Sequence, residues 1–170
     1  METVLPADIA QMAARVVAEN KAAGRTVAVA ESCTGGLVSA AITEVPGSSA
    51  ILGSGYVTYS NEAKMTMLGV NEDIIDTFGA VSVAVAWAMA QGALKKSGAD
   101  IAVAISGVAG PDGGTANKPV GTVVFAVALK GQNPEDVVGD KKTFGEDKSR
   151  ADIRAFATLY ALELLLPPAP

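Results

Sequence analysis

The chain contains no histidine among its 170 residues. That absence removes Ser-His-Asp and Cys-His catalysis, together with every histidine-ligated metal site. If the chain performs acyl transfer, its base must come from lysine, tyrosine, aspartate or glutamate. A serine activated by a desolvated lysine is the established arrangement without histidine. The single cysteine, Cys33, excludes an intramolecular disulfide and a multi-cysteine zinc centre. Aromatic residues make up only 5% of the chain, so the core must be built from Ala, Val, Ile and Leu. Basic residues are also scarce. The net charge is −5, and the only basic clusters are the pairs Lys95-Lys96 and Lys141-Lys142. A nucleic-acid binder would carry a basic face, so nucleic acid is not the expected partner. The most apolar run, Ala80 to Ala90, is 11 residues and includes Ser82, against the roughly 20 that a membrane span needs. The start, Met1 to Pro6, has no basic leader region. The expectation is a cytoplasmic chain.

What is present is a globular composition, 49% hydrophobic and 18% charged, at a length suited to one domain over residues 1–170. Helical spacing of Ile9, Met12, Ala13, Val16 and Val17 predicts a helix over 7–23, started by Pro6 and ended by Gly24. Strands are expected at Thr26–Ala30, Tyr56–Tyr59, Ile101–Ile105 and Thr122–Leu129, with a last one over Val137–Phe144. Between and after them, helices are expected at Leu37–Thr43, Glu62–Leu68, after Asn71, at Val83–Ser97 and at Asp147–Leu166. This alternation implies a three-layer α/β/α sandwich around a central mixed sheet. The Ala-rich helix at Val83–Ser97 suits either core or interface, which leaves a homo-oligomer open.

Three segments look unlike packing material. The first, Glu31-Ser32-Cys33-Thr34-Gly35-Gly36, lies where a buried strand gives way to a helix. It reads either as an anion cradle of free N–H groups or as a plain turn with Ser32 or Thr34 as cap. The second, residues 46–64, gathers Ser48, Ser49, Tyr59 and Lys64. A strand ending at Tyr59 and a helix carrying Lys64 would place both at the sheet edge where ligands of α/β proteins bind. There a dry pocket would let the lysine lose its charge and accept a hydroxyl proton. The alternative is an ordinary turn and a solvated helix lysine. The third, residues 106–121, has five glycines and two prolines between two buried strands. It suits a backbone closing around a ligand, with Ser106, Asp112 and Thr115 as polar contacts, or a simple turn at Asp112-Gly113-Gly114. Nothing in the sequence brings Glu31 and Asp112 together as a carboxylate pair. Cys33, beside a buried strand, reads as a small core residue.

The motifs AESCTGGLVSAAIT, PGSSA, GYVTYSNEAKMTMLGV, GAVS and SGVAGPDGGTANKPVGTVVFAVA, in that order, resemble the CinA C-terminal domain family of nicotinamide mononucleotide deamidases. The resemblance covers most of the chain from about Ala30 to Leu129 and implies a stand-alone form without the further N-terminal domain of longer members. It implies hydrolysis of the pyridine carboxamide to nicotinate mononucleotide and ammonia, with a small-molecule nucleotide as partner and neither cofactor nor metal. It implies Ser49 as nucleophile, Lys64 as base, Tyr59 beside it and Ser32 as an auxiliary hydroxyl. Substrate contacts are expected from Thr34, Gly35, Gly36, Ser48, Ser106, Gly107 and Arg150, with Arg154 as the near alternative to Arg150. The rival expectation is a non-catalytic nucleotide-binding or scaffold module with the same loops.

Overall fold

Alternation along the strands divides the apolar residues between two cores, one on each face of a five-stranded sheet. The computed structural model describes residues 3–168; the expectations for Met1, Glu2, Ala169 and Pro170 lie outside them. The strands are β1 (Val27–Glu31), β2 (Leu52–Val57), β3 (Ile101–Gly107), β4 (Thr122–Leu129) and β5 (Val138–Thr143). Their order is β2-β1-β3-β4-β5, with β2, β1 and β3 parallel and β4 and β5 antiparallel additions. The helices are α1 (Ala7–Ala22), α2 (Leu37–Glu44), α3 (Asn61–Leu68), α4 (Glu72–Phe78), α5 (Val83–Ser97) and α6 (Arg150–Leu164). This is the expected three-layer α/β/α sandwich.

The two faces differ in bulk for a reason visible in the sequence. Val27, Val29, Ile101, Val103 and Phe125 face α1, α2 and α6, where branched and aromatic side chains fill a wide layer. Ala28, Ala30, Ala102, Ala104, Ala126 and Ala128 face α5, so that helix lies close to the sheet. Helix α5 is also pressed from its other side by α3. A Cβ built on Gly92 would collide with the Leu68 carbonyl oxygen. Gly92 thus sits in a helix interior despite its low propensity because the backbones touch there. Gly92→Ala is expected to destabilise the protein by about 3 kcal/mol through overpacking, measured as a drop in the urea midpoint with unchanged slope.

Two boundaries differ from expectation. Strand β2 runs over Leu-Gly-Ser-Gly-Tyr-Val and not Tyr-Val-Thr-Tyr. Its glycines read as loop; at Gly55 the cause is α2 crossing closely, since a Cβ there would meet the Ser39 hydroxyl. The final helix begins at Arg150, where Ser149 and Asp152 form a reciprocal capping box. Among the described residues no helix is long and apolar enough to cross a membrane.

Candidate active site

β1 lies between β2 and β3, so the chain leaves it to one side for β2 and returns on the other for β3. That reversal opens a crevice at the carboxyl ends of the parallel strands. A cleft of about 200 Å³ occupies it, lined by Ser32 and Cys33 after β1, Tyr59, Asn61 and Lys64 after β2, and Ser106, Gly107 and Ala109 at the end of β3. Ala80, Val81 and Arg150 complete the wall.

Lys64 is the largest fully buried side chain, at 1% exposure. Its Nζ donates to the carbonyl oxygens of Thr58 at 2.9 Å and Tyr59 at 3.4 Å, and lies 3.2 Å from Ser32 Oγ. A neutral amine has two N–H bonds and one lone pair. In that neutral form the two carbonyls would take the N–H bonds and the lone pair would turn to the Ser32 hydroxyl. Burial pushes the Lys64 ammonium below its ordinary value, and only charge on Cys33 acts the other way. Burial in turn holds the Cys33 thiol up at about 11, so that opposing charge is missing near neutrality. None of the ion pairs among the described residues involves Lys64. A desolvated lysine without a carboxylate, one hydrogen-bond length from a serine, has the surroundings that a histidine-free base requires.

The segment that carries Ser32 is held from two sides. The Glu31 carboxylate, fully buried, accepts the N–H groups of Gly36, Val38 and Ser39 and the Ser39 hydroxyl at 2.8–3.1 Å. The positive end of α2 is therefore filled by the chain's own anion. From α6, Arg154 donates to the Cys33 carbonyl at 3.2 Å and the Thr34 carbonyl at 3.0 Å. Gly35 and Gly36, at φ 62° and 98°, provide the left-handed turn between these clamps. Arg150, one helical turn before Arg154, donates instead to the Gly110 carbonyl at 2.6 Å and to the Tyr59 hydroxyl at 3.0 Å. The question of the two arginines resolves by position: Arg150 lines the cleft, and Arg154 braces the loop beneath it.

Among the expected site residues, the structure brings Ser32, Tyr59, Lys64, Ser106, Gly107 and Arg150 together. It does not bring Ser49 or Ser48. Both lie in a single 3-10 turn that precedes β2, and the Val27 N–H donates to the Ile51 carbonyl just after it. That places them at the amino edge of the parallel strands, the far side from Lys64. The five residues of β1 separate the two edges, about 15 Å at ~3.3 Å per residue. The expected pairing of Ser49 with Lys64 is therefore corrected, and the serine beside the lysine is Ser32. The expected anion cradle at Thr34, Gly35 and Gly36 is corrected as well. Those residues do not line the cleft, the Gly36 N–H is taken by Glu31, and the Gly35 N–H by the Ser32 carbonyl.

A model of the CinA C-terminal domain matches residues 9–167. The chain belongs to that family. The nicotinamide-nucleotide amidohydrolase PncC of Escherichia coli strain K12 is 48% identical over 159 residues, covering 93% of each chain. A putative competence-damage inducible protein of Symbiobacterium thermophilum is 59% identical over 158 residues, 91% of this chain but 36% of that relative. The chain thus spans about a third of the longer curated relatives that it matches. The crystal structure of the competence/damage inducible protein CihA from Agrobacterium tumefaciens superposes with a TM-score of 0.91 at 44% identity, covering 96% of this chain and 97% of that one.

Within this CinA-type domain, sequence reasoning passed over Asn61, Ala80, Val81 and Ala109 as cleft residues. Asn61 opens α3 one residue after its cap, Ser60, a position that in sequence differs in nothing from an ordinary helix start. Ala80 had a signal of another kind. Its carbonyl accepts the hydroxyl of Ser106 at 2.8 Å, and a serine at the end of an otherwise apolar strand requires a partner of this sort.

Proposed function

We propose that the chain hydrolyses the carboxamide of nicotinamide mononucleotide, giving nicotinate mononucleotide and ammonia, with Ser32 as nucleophile and Lys64 as base. The observation that carries this reading is the buried Lys64 amine lying 3.2 Å from Ser32 Oγ. The activity in the name of the Escherichia coli relative, which this chain matches over nearly its whole length, supports the same reaction.

In the acylation step Ser32 Oγ bonds to the amide carbon while its proton passes to Lys64 Nζ and the carbonyl electron pair moves to oxygen. With Gly35 and Gly36 already bonded, the N–H of Cys33, which lines the cleft, is left to serve the oxyanion. Collapse of the intermediate breaks the C–N bond as Lys64 returns the proton to nitrogen, and ammonia leaves. A water molecule then attacks the ester and gives a proton to Lys64, which passes it back to Ser32 Oγ as nicotinate mononucleotide is released. Tyr59 and Arg150, joined by their hydrogen bond, stand at the mouth as substrate contacts. Among the described residues no three acidic or cysteine side chains gather as a metal-binding group, and no step above calls on a metal.

The test is ammonia release from nicotinamide mononucleotide by the purified protein with a chelator present. Turnover is expected. Nucleotide-dependent thermal stabilisation without ammonia would replace the amidase with a binding module.

A further inference from the structure

Arg150 lines the cleft and Lys118 reaches the chain just before the cleft wall at Ala80 and Val81, and each is bonded to a neutral carbonyl. The glycine-rich stretch that joins β3 to β4 is closed at its base by the Val108 N–H to the Thr122 carbonyl and the Gly121 N–H to the Val108 carbonyl. At its tip Thr115 and Lys118 exchange backbone hydrogen bonds, and the Thr115 hydroxyl accepts the Lys118 N–H, so the Lys118 backbone is fixed. From there the half-buried Lys118 side chain reaches across to the end of α4, where Nζ donates to the Phe78 carbonyl at 2.6 Å. A Cβ built on the next residue, Gly79, would stand 3.2 Å from that ammonium, and Ala80 and Val81 directly after it form the cleft wall. Arg150 ties the same loop down at the Gly110 carbonyl.

Among the described residues neither cation has a carboxylate within ion-pair distance, nor has Arg154, which lies beneath the cleft floor. The four ion pairs among the described residues lie elsewhere, in a chain whose net charge is −5. Uncompensated positive charge gathered at one crevice of an acidic protein focuses its field on an anion. The α2 start cannot serve as the anion's seat, because Glu31 fills it. Arg150 is engaged with the Tyr59 hydroxyl and the Gly110 carbonyl. Lys118 holds a single carbonyl at the rim and has two donors left.

We propose that Lys118 selects a phosphorylated substrate, its ammonium binding the phosphate of the mononucleotide at the rim while the carboxamide lies between Ser32 and Lys64. This rests on the amidase reading and adds to it the residue that discriminates nucleotide from nucleoside. Because the same lysine ties the loop to α4, phosphate and loop position are coupled through one side chain.

The test compares nicotinamide mononucleotide with nicotinamide riboside, which lacks the phosphate, on the wild-type protein and on Lys118→Met and Lys118→Arg. Loss of one charge-assisted contact is expected to lower kcat/KM for the mononucleotide by about 10- to 100-fold in Lys118→Met, mainly through KM. The riboside value should fall by much less, since it loses only the loop tether and not a phosphate contact. Lys118→Arg should keep most of the preference for the mononucleotide. Equal losses on the two substrates would reduce Lys118 to a loop tether, and an unchanged preference would remove it from recognition. If the wild type releases ammonia from neither compound, the amidase reading falls. The same comparison made as calorimetric binding to wild-type and Lys118→Met proteins then decides the lysine on its own.

Discussion

Ser32→Ala is expected to lower kcat for ammonia release by at least about 10³-fold, because it removes the atom that forms the acyl-enzyme. Ser49→Ala is expected to leave kcat within about two-fold, as substitutions away from the reacting groups normally do. The contrast has a geometric basis. Ser32 Oγ lies 3.2 Å from the Lys64 amine in the cleft, whereas Ser49 lies across the sheet, exposed, in the turn before β2. Both variants should fold. Ser32 is close-packed but small, and its backbone N–H to the Ile105 carbonyl does not depend on the side chain. The measurement is kcat on nicotinamide mononucleotide for the two variants side by side, with circular dichroism to confirm folding. The reverse result, with Ser49→Ala inactive and Ser32→Ala active, would overturn the assignment of the nucleophile.

How Ser49 came to be expected, and Ser32 found, shows where sequence reading stops. Lys64 was legible. A lysine one turn into a helix after a strand end is expected at the carboxyl edge of the sheet, and Lys64 lines the cleft there. The strand-helix alternation was legible too, because β1, β3 and β4 are unbroken apolar runs and four of the helices carry Ser or Asn caps that accept an N–H. The choice between serines was not: Ser49 was expected from the family resemblance, and sequence distance gives no warning at a parallel strand. Ser49 is 15 positions from Lys64 and Ser32 is 32, yet β2 carries the nearer serine to the wrong end of the sheet. Neighbouring parallel strands set their carboxyl ends side by side, so the residue following β1 meets residues following β2. The glycines of β2 hid the strand that would have revealed this, and the cause of Gly55, the approach of α2, is a tertiary fact. Glu31 was hidden in the same way. Nothing local says that a carboxylate in an apolar strand will turn into the start of the next helix and fill the very anion site that the glycines suggested.

Lys64→Met is expected to lower kcat/KM by about 10²- to 10⁴-fold, the usual worth of a positioned general base, and to do so without loss of fold. Met keeps the length and apolar stem of lysine and removes only the amine. The sign of the accompanying stability change follows from linkage. In the folded protein the Lys64 ammonium is held below the lysine value of 10.5, so between the lowered value and 10.5 the unfolded chain holds the proton more often. The stability that this group contributes is present above 10.5, is lost as pH falls through the folded value, and the full cost of the buried charge applies below it. Lys64→Met removes that cost. The variant's Tm relative to the wild type is therefore expected to be higher at pH 7 than at pH 10. For the wild-type enzyme, the same lowered value predicts that kcat/KM rises with pH and levels off below 10.5, once the free amine faces Ser32. Thermal scans at the two pH values and a pH–rate profile check both statements. A Tm difference independent of pH would mean that Lys64 titrates in the fold as it does in water, and with an unshifted amine the case for Lys64 as the base would fall. An inactive but pH-sensitively stabilised Lys64→Met protein would tie the same buried amine to both the lost stability and the chemistry, which is the trade expected where a site is built from a charge kept out of water.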